Sequence, residues 1–201
     1  MSNSYKYIDP DYTYTDPNTG LLRNLKSLTE VDVLLFVESS AVTKRLKELY
    51  ENPIKIKSTE TLFYIHKILF QDIYAWAGKK RIVEISKDGK QFFPTSHFIN
   101  AIKYIDTLIF EFKEIPKDNT KHIAEKLALI LDNVNYFHPF REGNGRTQRE
   151  FLRLLALEKG LILNLNPPDN KNVYERYMKG TIEGDINILS ELITELIKDK
   201  K

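Results

Sequence analysis

Residues 138–149 read HPFREGNGRTQR. Within twelve positions they bring together an imidazole (His138), a carboxylate (Glu142), a glycine-flanked asparagine (Gly143, Asn144, Gly145) and two arginines three apart (Arg146 and Arg149). This combination suits phosphate chemistry. A helix beginning near Asn144 would leave backbone N–H groups without partners at the positive end of its dipole. Glycines on either side would let an anion approach that backbone closely. Arg146 and Arg149 would share one face of the first turns, where forked guanidiniums can bind outer phosphates. A carboxylate beside phosphates is unfavourable unless a hard cation lies between them, which makes Glu142 a candidate Mg²⁺ ligand. His138 is the nearby group whose ordinary pKa suits general-base work at neutral pH. Each residue alone has a bland reading, a turn or a structural histidine. The combination is far more specific, and neither a P-loop nor an HExxH pattern competes with it.

These residues need elements to hold them. The pattern of 120–137 predicts a helix that runs into His138 and is ended by Pro139. A motif helix is expected over about 144–159, stopped by Gly160. Upstream, LTEVDVLLFVESSAVTKRLKELYEN reads as a helix ended at ENP. STETLFYIHKILFQDIYAWAG reads as another, capped by Ser/Thr and closing at Gly78. The period then changes: RIVEISKDGKQFF predicts two short strands around Asp88-Gly89. Further helices are expected at 97–113, about 170–180 and 186–199, the last capped by Asp185. The polar, tyrosine-rich residues 1–27 suggest an irregular but ordered arm. The fold class is therefore mainly α, with one small β-hairpin. His66 and His122 read as structural and His97 as capping or surface. Trp76 and the tyrosines at 5, 7, 12 and 14 read as packing.

The bulk numbers exclude much else. The chain has 201 residues, 42% hydrophobic and 29% charged, enough for one globular domain. No cysteine is present, so disulfides, thiolate metal sites and cysteine nucleophiles are out. A net charge of +2, from 30 basic and 28 acidic residues without a basic tract, argues against direct nucleic-acid binding. The N-terminus lacks the pattern of a signal peptide, and apolar runs such as VDVLLFV are too short to span a membrane. A cytoplasmic protein is expected.

HPFREGNGRTQR matches the Fic (Fido) signature His-x-Phe-x-Asp/Glu-Gly-Asn-Gly-Arg-x-x-Arg at every specified position. The segment HKILFQDIYAWAGKKRIVEIS resembles the helix, AWAG turn and flap hairpin of bacterial Fic proteins. MKGTIEGDINILSELI resembles their closing segment, and YKYIDPDYTYTDPNTGLLRNL the arm of short cell-filamentation Fic proteins. The resemblance implies a Fic helical bundle over 58–197, with 1–57 as an arm and first helix packing on that core. It implies transfer of AMP from ATP to a Ser, Thr or Tyr hydroxyl of a target protein. By that resemblance His138 is the base and Glu142 holds Mg²⁺. Gly143, Asn144 and Gly145 form the anion hole, with Asn144 on the α-phosphate, while Arg146 and Arg149 support the β- and γ-phosphates. Phe140 would anchor the loop. Asn135 and Tyr174, with 171–173, would line the nucleotide pocket. Phe92 and Phe93 on the flap would clamp the target residue, or pack in the core.

The related Doc toxins carry lysine where this chain has Gly145, so glycine favours AMP transfer over γ-phosphoryl transfer; phosphocholine transfer also occurs on this scaffold. The inhibitory pattern Ser/Thr-x-x-x-Glu-Gly/Asn of many Fic proteins is missing. The single Ser/Thr-x-x-x-Glu, Thr107 to Glu111, is followed by Phe112 inside an expected core helix. The resemblance is thus to the class inhibited by a separate small antitoxin, whose glutamate would dock on Arg149. Class members act on type II topoisomerase subunits. The alternatives are another Fic-type phosphotransferase and an inactive Fic scaffold serving as a binding module.

Overall fold

The computed structural model describes residues 5–7, 9–87, 89–166 and 170–199, with 5–7 described by backbone alone. Seven helices carry the described fold: α1 (Val31–Glu51), α2 (Thr59–Phe70), α3 (Phe98–Glu114), α4 (Thr120–Phe137), α5 (Asn144–Glu158), α6 (Lys171–Glu183) and α7 (Ile186–Leu196). A hairpin of β2 (Ile85–Lys87) and β3 (Lys90–Gln91) lies between α2 and α3. Asp88, half of the expected turn, falls outside the described residues; Gly89 has the positive φ (+80°) that such a turn requires.

The helix α4 runs through the centre. Its buried residues, Ile123, Ala124, Leu127, Ala128, Ile130, Leu131, Val134 and Phe137, occupy more than one face, because α3, α5, α6 and α7 all pack against it. α2 packs between α1 and α5. The helix starts follow local chemistry. Ser58 caps α2 by accepting from the Glu60 N–H, Asn119 caps α4 through His122, and Asp185 caps α7 through Asn187 and Ile188. α5 differs: it starts at Gly143 (φ +83°) with no side-chain cap.

Three details depart from the expected elements. α2 stops at Phe70, and the stretch to Gly78 is a series of tight turns. There the Phe70 carbonyl accepts from Ile73 and Tyr74, and the Ile73 carbonyl accepts from Leu25 of the arm. The last helix ends at Leu196, after which β5 (Lys198–Asp199) pairs antiparallel with β4 (Leu161–Ile162). The arm contributes β1 (Tyr5–Tyr7), which pairs antiparallel with β2 and gives a three-stranded sheet in the order β1-β2-β3. Among the described residues no helix is long and apolar enough to cross a membrane.

Tyr14 is buried, edge-on to Trp76 (5.6 Å), and its hydroxyl accepts from the Ile82 N–H at the flap's base. Trp76 in turn stacks on Tyr74 at 4.4 Å. Tyr12, by contrast, points outward and is 51% exposed. His97 and His122 are exposed at the starts of α3 and α4.

Candidate active site

The end of α4, the loop 138–143 and the start of α5 close one end of a cavity of about 720 Å³. The other walls come from the flap and α6. His138, Glu142, Gly143, Gly145, Arg146, Arg149, Asn135, Tyr174 and Phe92 all line it.

His138 caps α4 in the left-handed region, at φ +43°. For a residue with a Cβ this conformation costs on the order of 1–3 kcal/mol and needs support from its surroundings. Arg81 supplies that support from a fully buried position. Its Nε donates to the His138 carbonyl (2.9 Å), and its two terminal nitrogens donate to the Val83 and Phe93 carbonyls (both 2.6 Å). The backbone N–H of Arg81 donates to the Pro139 carbonyl as well. One guanidinium therefore ties the histidine's backbone to both arms of the flap. Nothing in the sequence marks Arg81 for this role: a cation among KKRIVEI at a strand start carries no periodic signal.

The His138 Nδ1 lies 3.2 Å from the Asn135 carbonyl, which can only accept. That contact assigns the proton to Nδ1 and makes Nε2 the basic nitrogen. Burial lowers the His138 pKa to about 3, with the nearby Arg81 charge pushing the same way. The ring is thus neutral at physiological pH. The Phe92 ring lies on it, centroids 3.6 Å apart and nearly parallel. Phe93 does not line the cavity. Neighbours on an extended strand point to opposite faces, so Phe93 packs edge-on to Tyr136 (5.5 Å) against the core. Of the two, Phe92 alone lines the cavity.

The loop after His138 is fixed from two sides. Phe140 is buried and stacks on His66 at 3.8 Å. The Nδ1 of His66 accepts from the Gly78 N–H (2.8 Å), so its Nε2 bears the proton and donates to the Glu142 carbonyl (3.0 Å). Burial lowers the His66 pKa to about 3, in keeping with this neutral structural form. The Asn144 side chain differs from expectation. Its Oδ1 accepts from the Phe140 N–H (3.0 Å) and its Nδ2 donates to the Phe140 carbonyl (2.8 Å). An amide spent on its own loop cannot reach a phosphate; Asn144 offers the anion site its backbone N–H and the loop's shape. Gly143 is obligatory there, since a Cβ would meet the Phe70 ring at 2.3 Å. At Gly145 a Cβ would crowd the Arg149 guanidinium at 3.3 Å.

Arg146 is held by ion pairs to Glu38 of α1 (2.6 Å) and Glu142 (3.4 Å), with its guanidinium over the Phe70 ring at 4.7 Å. Glu38 is buried and also accepts from the Tyr74 hydroxyl. Glu38 is absent from the motif, and its signal in the sequence is a charge inside the apolar run VLLFVES. Arg149 sits over Tyr174 and Tyr177, and the Tyr177 hydroxyl bonds Gln148. The α6 residues Tyr174, Tyr177, Met178 and Thr181 line the cavity at helical spacing, whereas Lys171, Asn172 and Val173 do not. Asn135 lines it with an amide already committed to the Thr181 carbonyl (2.9 Å), tying α4 to α6.

Glu142 is the acidic group nearest the nest. Its Oε1 accepts from the Gly143 N–H (2.8 Å), so the α5 start already holds one anion. No group of three or more metal-ligating side chains occurs among the described residues. A single carboxylate plus phosphate oxygens is how Mg²⁺ is commonly bound at nucleotides, so the donor set fits that ion without an all-protein cage.

A helical bundle with a motif loop under a flap defines a class, and comparison with known proteins agrees. The chain belongs to the Fic/DOC family, whose profile matches residues 56–156. It is 31% identical over 189 residues to the protein adenylyltransferase VbhT of Bartonella schoenbuchensis, which covers 94% of this chain but 39% of VbhT. It is 25% identical to the Fic protein of Escherichia coli K12 over 99% of this chain and 98% of that one. The fold is that of BepC from Bartonella tribocorum, solved with AMPPNP bound (TM-score 0.81, 19% identity, 94% of this chain and 98% of that one). It is equally that of a Bartonella quintana effector Fic domain solved with ADP (TM-score 0.83, 20% identity, 94% and 96%).

Proposed function

We propose that this protein transfers AMP from ATP to a Ser, Thr or Tyr hydroxyl of a target protein. The observation that carries the reading is His138: a neutral imidazole, basic at Nε2, on the same cavity wall as the uncapped start of α5 and both motif arginines. Relatives named protein adenylyltransferase support it. The hydroxyl oxygen attacks the α-phosphorus as its proton passes to His138 Nε2, and the bond from the α-phosphorus to the bridging oxygen breaks, releasing pyrophosphate. The phosphate charges would raise the His138 pKa from its empty-site value toward the working range. Backbone N–H groups at Gly143–Gly145 and the Arg146 and Arg149 guanidiniums receive the phosphate oxygens. Glu142 would hold Mg²⁺, which neutralises phosphate charge when bound. Phe92 would rest against the incoming residue, with the flap backbone pairing to the target as an added strand.

The same reading makes the protein the cytoplasmic toxin of a toxin–antitoxin pair, with type II topoisomerase subunits as candidate targets. Arg146 and Arg149 also line a second groove of about 310 Å³, between α1, α5 and residues 163–166. A partner's glutamate could reach Arg149 there. Thr107 and Glu111 offer no brake of their own, since both lie on α3 and Glu111 pairs with Lys126.

Incubation with α- and γ-labelled ATP tests the reaction. Label from the α-position should stay on protein, and His138→Ala should reduce it by roughly 10²–10⁴-fold with nucleotide binding intact. Label retained from the γ-position, or undiminished transfer in the variant, would overturn the proposal.

A further inference from the structure

Asp132 has no part in the mechanism above, yet it lines the same cavity. It sits on α4 six residues before His138, about 9 Å along the helix axis. That distance is the scale of one nucleoside, with Asn135 and Tyr136 between. The carboxylate is half-buried, and among the described residues no hydrogen bond or ion pair partners it. Burial alone pushes its pKa up. An unpaired, partly buried carboxylate is costly to keep in a folded chain. Lys90, on the flap side of this cavity, has its Nζ committed to the Ile182 carbonyl (3.1 Å). Gly184 lies against Asp132, since a Cβ there would sit 3.7 Å from Oδ1. Met178 and Ile182 supply apolar surface to the same cavity. The cavity therefore offers apolar surface together with one carboxylate acceptor that has no hydrogen bond or ion pair among the described residues.

Resting on the nucleotide reading above, we propose that Asp132 determines base specificity, its carboxylate accepting a hydrogen bond from the 6-amino group of adenine. An ionised carboxylate only accepts, so it favours a base edge that donates and penalises one that does not.

The test is binding of ATP against purine riboside 5′-triphosphate, which lacks the 6-amino group, measured calorimetrically on the whole chain and on Asp132→Ala and Asp132→Asn. The wild type should prefer ATP by about tenfold or more, the size of a hydrogen bond to a charged acceptor. In Asp132→Ala the two nucleotides should bind within about twofold of each other, through weaker ATP binding. Asp132→Asn can still accept and should keep part of the preference. The ligand-free melting temperature of Asp132→Ala should be unchanged or higher, because an unpaired charge has been removed. Equal binding of both nucleotides by the wild type, an unaltered preference in Asp132→Ala, or a markedly lower melting temperature would overturn the assignment. If those failures came with ATP bound and its AMP transferred, the adenylyltransferase reading would stand; absence of any nucleotide binding would sink both.

Discussion

Glu38 shows how much one side chain decides at this site. It is buried on α1 and shared between Arg146 and Tyr74. Arg146 keeps some solvent access, so the pair is neither a surface bridge of negligible worth nor a fully desolvated one. Glu38→Gln keeps the shape and removes the charge; we expect a loss of about 1–3 kcal/mol in unfolding free energy, measured by urea denaturation. An unchanged midpoint would mean that Glu38 does not hold Arg146 in solution. At this scale the motif was readable, because His138, Glu142, Gly143, Gly145, Arg146 and Arg149 do converge on one cavity. The side chain of Asn144 was not readable in the same way. An Asn at a loop end can serve a ligand or its own backbone, and only the folded loop reveals the second. Residues 171–173 misled for a related reason: one helix face meets the cavity, and a run of neighbours cannot all lie on it.

Among the elements, the flap is governed by Arg81. Its bonds to the carbonyls of His138, Val83 and Phe93 join the hairpin to the end of α4. Arg81→Met should therefore release His138 from its left-handed conformation and lower kcat for AMP transfer by on the order of 10²-fold, the cost of a misplaced catalytic group. Nucleotide Kd should stay within about twofold, because the arginines proposed to bind phosphate are elsewhere. A parallel loss of nucleotide affinity would show that Arg81 serves the fold at large. Long periodic helices such as α4 and α5 were legible almost to the residue. The turns after Phe70 were not, since apolar Ile73 and Tyr74 continue the pattern while their backbone is claimed by Phe70 and the arm. Two- and three-residue strands such as β1, β4 and β5 leave no periodicity to read at all.

For the molecule as a whole, two buried neutral imidazoles tie stability to acidity. His66 and His138 both have folded-state pKa values near 3, against an ordinary value of 6.5. Between these values the unfolded chain binds more protons, so stability falls as pH drops from about 6.5 toward 3, by up to about 1.4 kcal/mol per pH unit for each group. His138→Ala should show a shallower acid limb, by about one proton's worth, in denaturation measured from pH 6.5 to 4. An identical slope would mean that His138 titrates normally in the folded chain. The arm matters at this scale as well. Because β1 pairs with β2, β2 is the middle strand of this sheet and β1 and β3 are its two outer strands. A polypeptide that added a strand to this sheet would meet either β3, the outer edge of the hairpin, or β1, the outer edge of the arm. Clipping the chain before Asp9 would remove β1 and turn the inner flank of β2 outward, so that one of the two berths would pass from the arm to the hairpin itself.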